Sequence, residues 1–275
     1  MRWEKKRVWI IVKTYPEYSR GSRDWVACTA GLTEEGDWIR LYPIPTKHYS
    51  GENRIRKFDL VEVVCQKATS EKLGRKESYK VKEGSDITII DRSLSTAQTD
   101  KVWKERSKLV LEKVDPSLSY LNSRYEEDKT SLGLIKPQEV LKFHNRKDLE
   151  IYADPVQYQQ RIDGSKTPVI QEIPHPFAYR FKCSDSCSIC SNGYHDILCE
   201  DWELLEAYRR WGPKYGDVQT LWEKLHDRFY TWMMEERDLY FVVGMYSLYP
   251  TWLIIGLYYP PKNIGPKDQT LDRWL

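Results

Sequence analysis

No stretch of the 275 residues approaches the ~20 consecutive apolar positions that a membrane-crossing helix needs. The apolar run Val8 to Val12 is too short for a signal segment, and no small-residue cleavage site follows it. The chain therefore reads as a soluble, cytoplasmic protein with no membrane role. The Gly-rich phosphate loops, Gly-x-Ser-x-Gly and His-Glu-x2-His are all missing, and the five histidines are scattered. There is no internal repeat and no low-complexity tract. Excess charge of one sign is missing too, with 43 Lys and Arg against 41 Asp and Glu. With 40% hydrophobic residues there is material for a packed core, which excludes wholesale disorder. The length fits one large domain or two small ones.

The balanced total hides an asymmetry. Residues 1–114 hold 24 Lys and Arg against 17 Asp and Glu, and residues 115–275 hold 19 against 24. A basic half beside an acidic half suggests a polyanionic partner for the first, or a complement within the chain.

Short strands punctuated by Gly and Pro dominate the first hundred residues: Val8 to Tyr15, Trp25 to Leu32, Trp38 to Tyr42, Lys57 to Ala68 and Ile87 to Asp91. Gly36 supplies a turn. Thr99 or Asp100 can cap a helix ending by Pro116. Tyr120 to Lys129 is polar enough to read as surface loop, and Pro155 to Pro176 as a linker. Asp201 can cap a helix that Gly212-Pro213 stops, and Asp217 caps the next. Leu239 to Met245 and Trp252 to Tyr258 are apolar on both faces and belong in the middle of a sheet. The expected fold is mixed α+β and β-rich. It has two small OB-like barrels or sheets with an inserted helix, plus a C-terminal zinc-bound α+β region. The expected divisions are 1–98, 99–176 and 177–275.

Cys28 and Cys65 lie in strand-like runs and read as buried thiols. Cys183, Cys187, Cys190, His195 and Cys199 instead fall within 17 residues among serines. In a cytoplasmic chain that spacing points to metal before disulfides. Zinc takes four tetrahedral ligands, so five candidates compete for four places. Cys183, Cys187, Cys190 and His195 are favoured because Cys199 adjoins a helix start; a set with Cys199 in place of His195 stays open. A filled set leaves no position for water, so the site reads as structural.

Basic and aromatic residues interleave in the first fifty positions, where Lys13, Tyr15, Arg20, Arg23, Trp38, Arg40, Tyr42 and Lys47 are candidates for contact with single-stranded nucleic acid. Strand alternation puts Trp38, Arg40 and Tyr42 on one face, so an exposed stripe is geometrically allowed. The competing readings are a weak Mg²⁺-dependent nuclease using Asp115, Glu127 and Lys129, and a purely structural protein-interaction module.

Lys13-Thr14-Tyr15-Pro16, Cys28-Thr29-Ala30-Gly31 and Arg40-Leu41-Tyr42-Pro43, with Gly193-Tyr194-His195 and Asp201-Trp202-Glu203 later, resemble the signatures of a prokaryotic family of dual-OB-domain proteins. The resemblance implies two OB-like barrels, Cys183, Cys187, Cys190 and His195 as ligands, and nucleic-acid contact by analogy of fold. No catalytic residue carries over. The expected role is a non-catalytic accessory protein in a prokaryotic defence or nucleic-acid-processing complex. It would contact single-stranded DNA or RNA, or a guide–target duplex, beside a protein partner such as a short Argonaute-like nuclease. Eleven Trp and 19 Tyr exceed what a core of this size readily hides. Tyr246 to Trp252, with Tyr258 and Tyr259, is the expected contact region for that partner.

Overall fold

The computed structural model describes residues 2–19, 24–45, 48, 54–68, 75–151, 158–160, 166–168, 173, 176–184, 187–246, 250–262 and 264. Seven strands come first: β1 (Glu4–Lys13), β2 (Glu17–Ser19), β3 (Asp24–Thr33), β4 (Trp38–Pro45), β5 (Leu60–Lys67), β6 (Ser78–Val81) and β7 (Thr88–Asp91). β1 pairs with β3 on one edge and β5 on the other, and the order β1-β3-β4-β6-β5 returns to β1 as a closed five-strand barrel. β4 and β6 run parallel, and every other barrel pairing is antiparallel. β7 shares an edge of β5.

Alternation decides which side chains fill the barrel. Val8, Ile10, Ile39, Leu41, Val61, Val63 and Cys65 point inward and are buried together. Arg40 and Tyr42 therefore belong to the outer wall. Gly31 lets β3 and β1 approach, since a Cβ there would lie 2.2 Å from the Trp9 carbonyl oxygen.

α1 (Asp100–Leu111), capped by the Thr99 hydroxyl, follows the barrel, and the second unit runs on through β8 (Val114–Asp115), α2 (Leu118–Asp128), β9 (Leu132–Ile135) and β10 (Glu139–Asn145). A short β11–β12 hairpin (Tyr158–Gln160, Lys166–Pro168) precedes β13 (Phe177–Lys182) and β14 (His195–Leu198). Then come α3 (Trp202–Tyr215), α4 (Val218–His226), a π turn, α5 (Trp232–Glu236), β15 (Tyr240–Met245) and β16 (Trp252–Tyr258). The nearly continuous β9–β10 segment pairs with β15 through its first half and with β13 through its second. β14 leads into a parallel bridge, Cys199 to Ile254, on β16. The succession repeats that of the barrel: a first strand flanked by the second and fourth, and a third meeting the fifth in parallel. Phe143, Phe177, Tyr179, Phe181, Leu204, Leu221 and Phe241 fill this unit. Between the units, Val12 and Leu32 of the barrel pack on Trp103 and Val110 of α1 and on Leu253, Ile255 and Tyr258.

Three expectations change. Residues 118–128 are a helix, not a loop, because Ser117 caps it, Leu118 and Leu121 bury one side, and Lys129 takes the left-handed turn that ends it. α3 runs through Gly212-Pro213 and stops at Gly216, whose φ of +79° makes the C-cap. Most of the expected linker at 155–176 lies outside the described residues. Of the expected aromatic contact region, Trp252 and Tyr258 are buried and Tyr246 and Tyr259 half-buried, and only Trp3, Tyr18, Tyr42 and Tyr120 stand exposed among the described aromatics. Tyr249 lies outside the described residues. No described helix is long and apolar enough to cross a membrane.

Candidate functional site

The Cys/His cluster forms in the β13–β14 connection. Cys183 leaves β13, and the left-handed Asn192 and Gly193 turn the chain back so that His195 opens β14 opposite Phe181. The ligand atoms of Cys183, Cys187 and His195 lie within 4.8 Å of one another. His195 Nε2 is 3.3 Å from Cys187 Sγ and 3.0 Å from Cys190 Sγ. Tetrahedral zinc with Zn–S near 2.3 Å and Zn–N near 2.0 Å holds its ligand atoms roughly 3.6 Å apart. Cys183, Cys187 and His195, with Cys190 beside them, can hold a metal ion.

Cys199 stands apart. It follows His195 by four residues, which along a strand is about 13 Å. It is buried in the core, where its amide donates to Phe177 O.

The start of α2 faces the sulfurs. Leu118 N donates to Cys183 Sγ at 3.3 Å. Burial pushes the Cys183 thiol up to about 12. At Cys187 burial acts in the same direction but is outweighed by hydrogen bonds from the amide and hydroxyl of Ser119, so this thiol is lowered. Burial lowers His195, favouring the neutral imidazole that a metal requires. Sequence reasoning missed this contribution of α2, whose only local sign is the Ser117 cap.

The expected nucleic-acid residues divide. Arg20, Arg23 and Lys47 lie outside the described residues. Lys13 and Tyr15 are buried, a correction to their expected exposure. Tyr15 packs its ring 6.0 Å from that of Trp202, and Lys13 sits 4.9 Å over Trp202 while donating to Ile55 O at 3.1 Å. Thr14 bridges to Asp201, and Tyr15 N donates to Glu200 O. The Lys13–Pro16 and Asp201–Glu203 motifs therefore meet in space and join the two units.

Beneath them Lys57 Nζ reaches Asp201 Oδ2 at 2.8 Å and Glu203 Oε2 at 3.1 Å. Burial lowers Lys13 to about 8, with the neighbouring Lys57 ammonium acting in the same direction.

Arg40, also expected on an exposed stripe, is only 3% exposed. Its guanidinium donates to Ser131 O at 3.0 Å and approaches Cys28 Sγ at 3.5 Å. Trp38 is half-buried, and Tyr42 is exposed. Arg40 and Tyr42 nevertheless line one cavity of about 520 Å³, on the outer wall of the barrel where β15 and β16 cover it. That volume falls in the ~300–1,000 Å³ range of small-ligand sites. Cys28, Lys67, Arg75, Ser78, Tyr79 and Lys80 share the barrel side, and Met245, Leu253 and Ile255 form an apolar side. No local signal marked Arg75 or Ser78.

The residues of the nuclease reading are not brought together as a metal-ligating group among those described. Asp115 accepts Leu134 N at 2.9 Å, while the Glu127 side chain is 77% exposed.

Two family profiles match: domain of unknown function DUF8758 over residues 4–112, and domain of unknown function DUF8757 over residues 114–273. The second covers more than half of the chain. This protein belongs to the DUF8757 family. A comparison with curated proteins returns no match for this family member. Among solved structures it is similar to the Ifi202 HINa domain in complex with 20 bp dsDNA, at 8% identity and TM-score 0.29, over 72% of this chain and 75% of that one. It is likewise similar to a murine DNA binding protein bound with ds DNA, at 10% identity and TM-score 0.26, over 72% and 76%. At these scores the likeness carries no statement about function.

Proposed function

We propose that this protein is a non-catalytic nucleic-acid-binding accessory protein built on two OB-like barrels, the second of which holds a structural zinc ion. The observation that carries this reading is the cavity on the outer β3–β4 wall of the barrel. OB-folds bind oligonucleotides on the face of their second and third strands, which are the positions of β3 and β4. The cavity sets Arg40, Lys67, Arg75 and Lys80 beside the aromatic rings of Tyr42 and Tyr79, the combination that holds single strands. The repeated strand succession supports the dual-barrel reading. Three sulfurs and one imidazole fit zinc, and that closed set supplies folding energy, not chemistry. An accessory place beside a nuclease subunit in a prokaryotic complex rests on the motif resemblance alone.

The test is titration with single-stranded DNA and RNA at several salt concentrations. Lys67→Glu combined with Lys80→Glu should weaken binding for all sequences alike and flatten its salt dependence. Absence of binding at low salt, or binding indifferent to both reversals, would refute the reading.

A further inference from the structure

Arg40 and Ser78 are neighbours across the parallel β4–β6 pair, and Arg75 precedes β6. All three line the same cavity. Arg40 and Ser78 are each at least nine-tenths buried, yet among the described residues Arg40 Nε and Ser78 Oγ have no hydrogen-bond partner, and neither has the buried Arg75 Nε. A buried donor without a partner costs free energy, so three of them around one space call for an acceptor.

The two guanidiniums also repel. Burial and then the nearby Arg40 charge both lower Arg75. Glu17 and Glu200 line the cavity too and each has an interaction of its own, while the buried Glu77 carboxylate, which accepts from Ser131 N and Oγ, offsets part of the Arg75 shift. Gly244 completes the arrangement from the opposite wall, where a Cβ would come within 3.1 Å of an Arg40 terminal nitrogen.

We infer that this cavity binds the phosphate monoester of a nucleotide. The phosphate would lie between Arg40, Arg75 and Ser78, and the base against Met245, Leu253 and Ile255. A monoester presents three terminal oxygens to the three donors, whereas the diester inside a strand offers two. The apolar wall opposite suits a flat base and rules against inorganic phosphate alone. The ligand is then either the phosphorylated end of a strand or a free mononucleotide. The strand-end form rests on the nucleic-acid reading above; the free-nucleotide form does not.

Isothermal titration calorimetry on the full chain separates these. The probes are one short DNA strand with hydroxyl ends, the same strand phosphorylated at its 5′ or its 3′ end, and AMP. One phosphorylated strand should bind at least roughly tenfold more tightly than the hydroxyl strand, and Arg75→Ala should abolish the preference. Ser78→Ala, a smaller change on a strand, should reduce it severalfold, and circular dichroism confirms that both variants fold. Equal affinity for all three strands without AMP binding overturns the inference and leaves the nucleic-acid reading standing. AMP binding that depends on Arg75, with no strand bound, sustains the cavity assignment and overturns the nucleic-acid reading. A preference that survives in both variants overturns the inference.

Discussion

Replacing Lys57 by Met removes one charge from the buried centre that joins the two units and leaves most of the side-chain volume. Lys57 Nζ contacts Asp201 Oδ2 at 2.8 Å, Glu203 Oε2 at 3.1 Å and Leu257 O at 3.5 Å. The Asp201 side chain is wholly buried, so the variant strands a carboxylate. Removing one partner of a buried pair costs ~3–5 kcal/mol. Two features favour the lower end. Asp201 keeps three amide donors, from Glu203 at 2.8 Å, Leu204 at 3.2 Å and Leu257 at 3.0 Å, while the Glu203 side chain is 40% exposed and can turn to water. The expected loss is about 3 kcal/mol. With a urea slope of roughly 3 kcal/mol/M, the midpoint should fall by about 1 M. The pH dependence gives a second reading. Burial would raise Glu203, but the Lys57 ammonium outweighs it and holds the carboxyl below its usual range. Its contribution is present above the ordinary Glu pKa, near 4.3, and is lost as pH falls through the depressed folded value. That acid-side loss should shrink in Lys57→Met. A midpoint shift below about 0.3 M would refute the claim that this centre holds the units together.

Metal analysis of untagged protein should return about one Zn per chain, lost in Cys190→Ala and His195→Ala but kept in Cys199→Ala; retention in all three would place the ion elsewhere. Burial pushes Asp115 up to about 6, so the stability that comes with its protonation is lost as pH rises from about 4 to 6. Asp115→Asn keeps an acceptor for Leu134 N and should add about 1–2 kcal/mol at pH 7 but nothing near pH 4 in thermal melts; an equal gain at both pH values would contradict the assignment. Gly31→Ala would put its Cβ 2.2 Å from the Trp9 carbonyl oxygen and 2.6 Å from a Val8 methyl, so the barrel should lose about 3 kcal/mol in urea unfolding, and a neutral result would mean that β1 and β3 yield easily.

Elements whose local pattern and tertiary role agree were legible in the sequence. β15 reads as a central strand because it is apolar on both faces, and it lies between β16 and β9 with Phe241 to Met245 buried. β16 reads the same way and is buried from Trp252 to Tyr258, but it ends the sheet order, with only the isolated Cys199–Ile254 bridge beyond it among the described residues. The caps at Thr99, Asp201 and Asp217 marked three helix starts. The Cys/His cluster was legible because Cys183, Cys190 and His195 lie within eight residues of Cys187, so a local turn nearly gathers them. β6 was not legible. Ser-Tyr-Lys-Val is short and half polar, and becomes a strand only because β4 and β5 offer it edges. Nor could the chain show that Lys13, Tyr15 and Arg40 are buried. Cations beside aromatics read the same way whether the rings stack on bases or on Trp202; only the packing of the second unit against the barrel selects between them.

That selection limits how a strand can reach the proposed site. With Lys13 and Tyr15 committed to the junction, the cations left at the cavity are Arg40, Lys67, Arg75 and Lys80. Each phosphate neutralised on a single strand contributes about −0.7 to the slope of log K against log salt, so full use of these four gives about −3. A footprint running along the whole basic half would give a far steeper slope. A measured slope between about −2 and −3.5, flattened by about 1.4 when Lys67 and Lys80 are both reversed, fits contact confined to this wall. A slope steeper than about −6 would place most of the contact elsewhere. The other basic cluster, His144, Arg146 and Arg180, is gathered on Asp196, whose carboxylate they hold at about 2 against the effect of burial. The Arg146 and Arg180 guanidiniums are already paired with that carboxylate and release fewer counterions, so Arg146→Ala should leave the slope unchanged if the barrel wall is the contact surface.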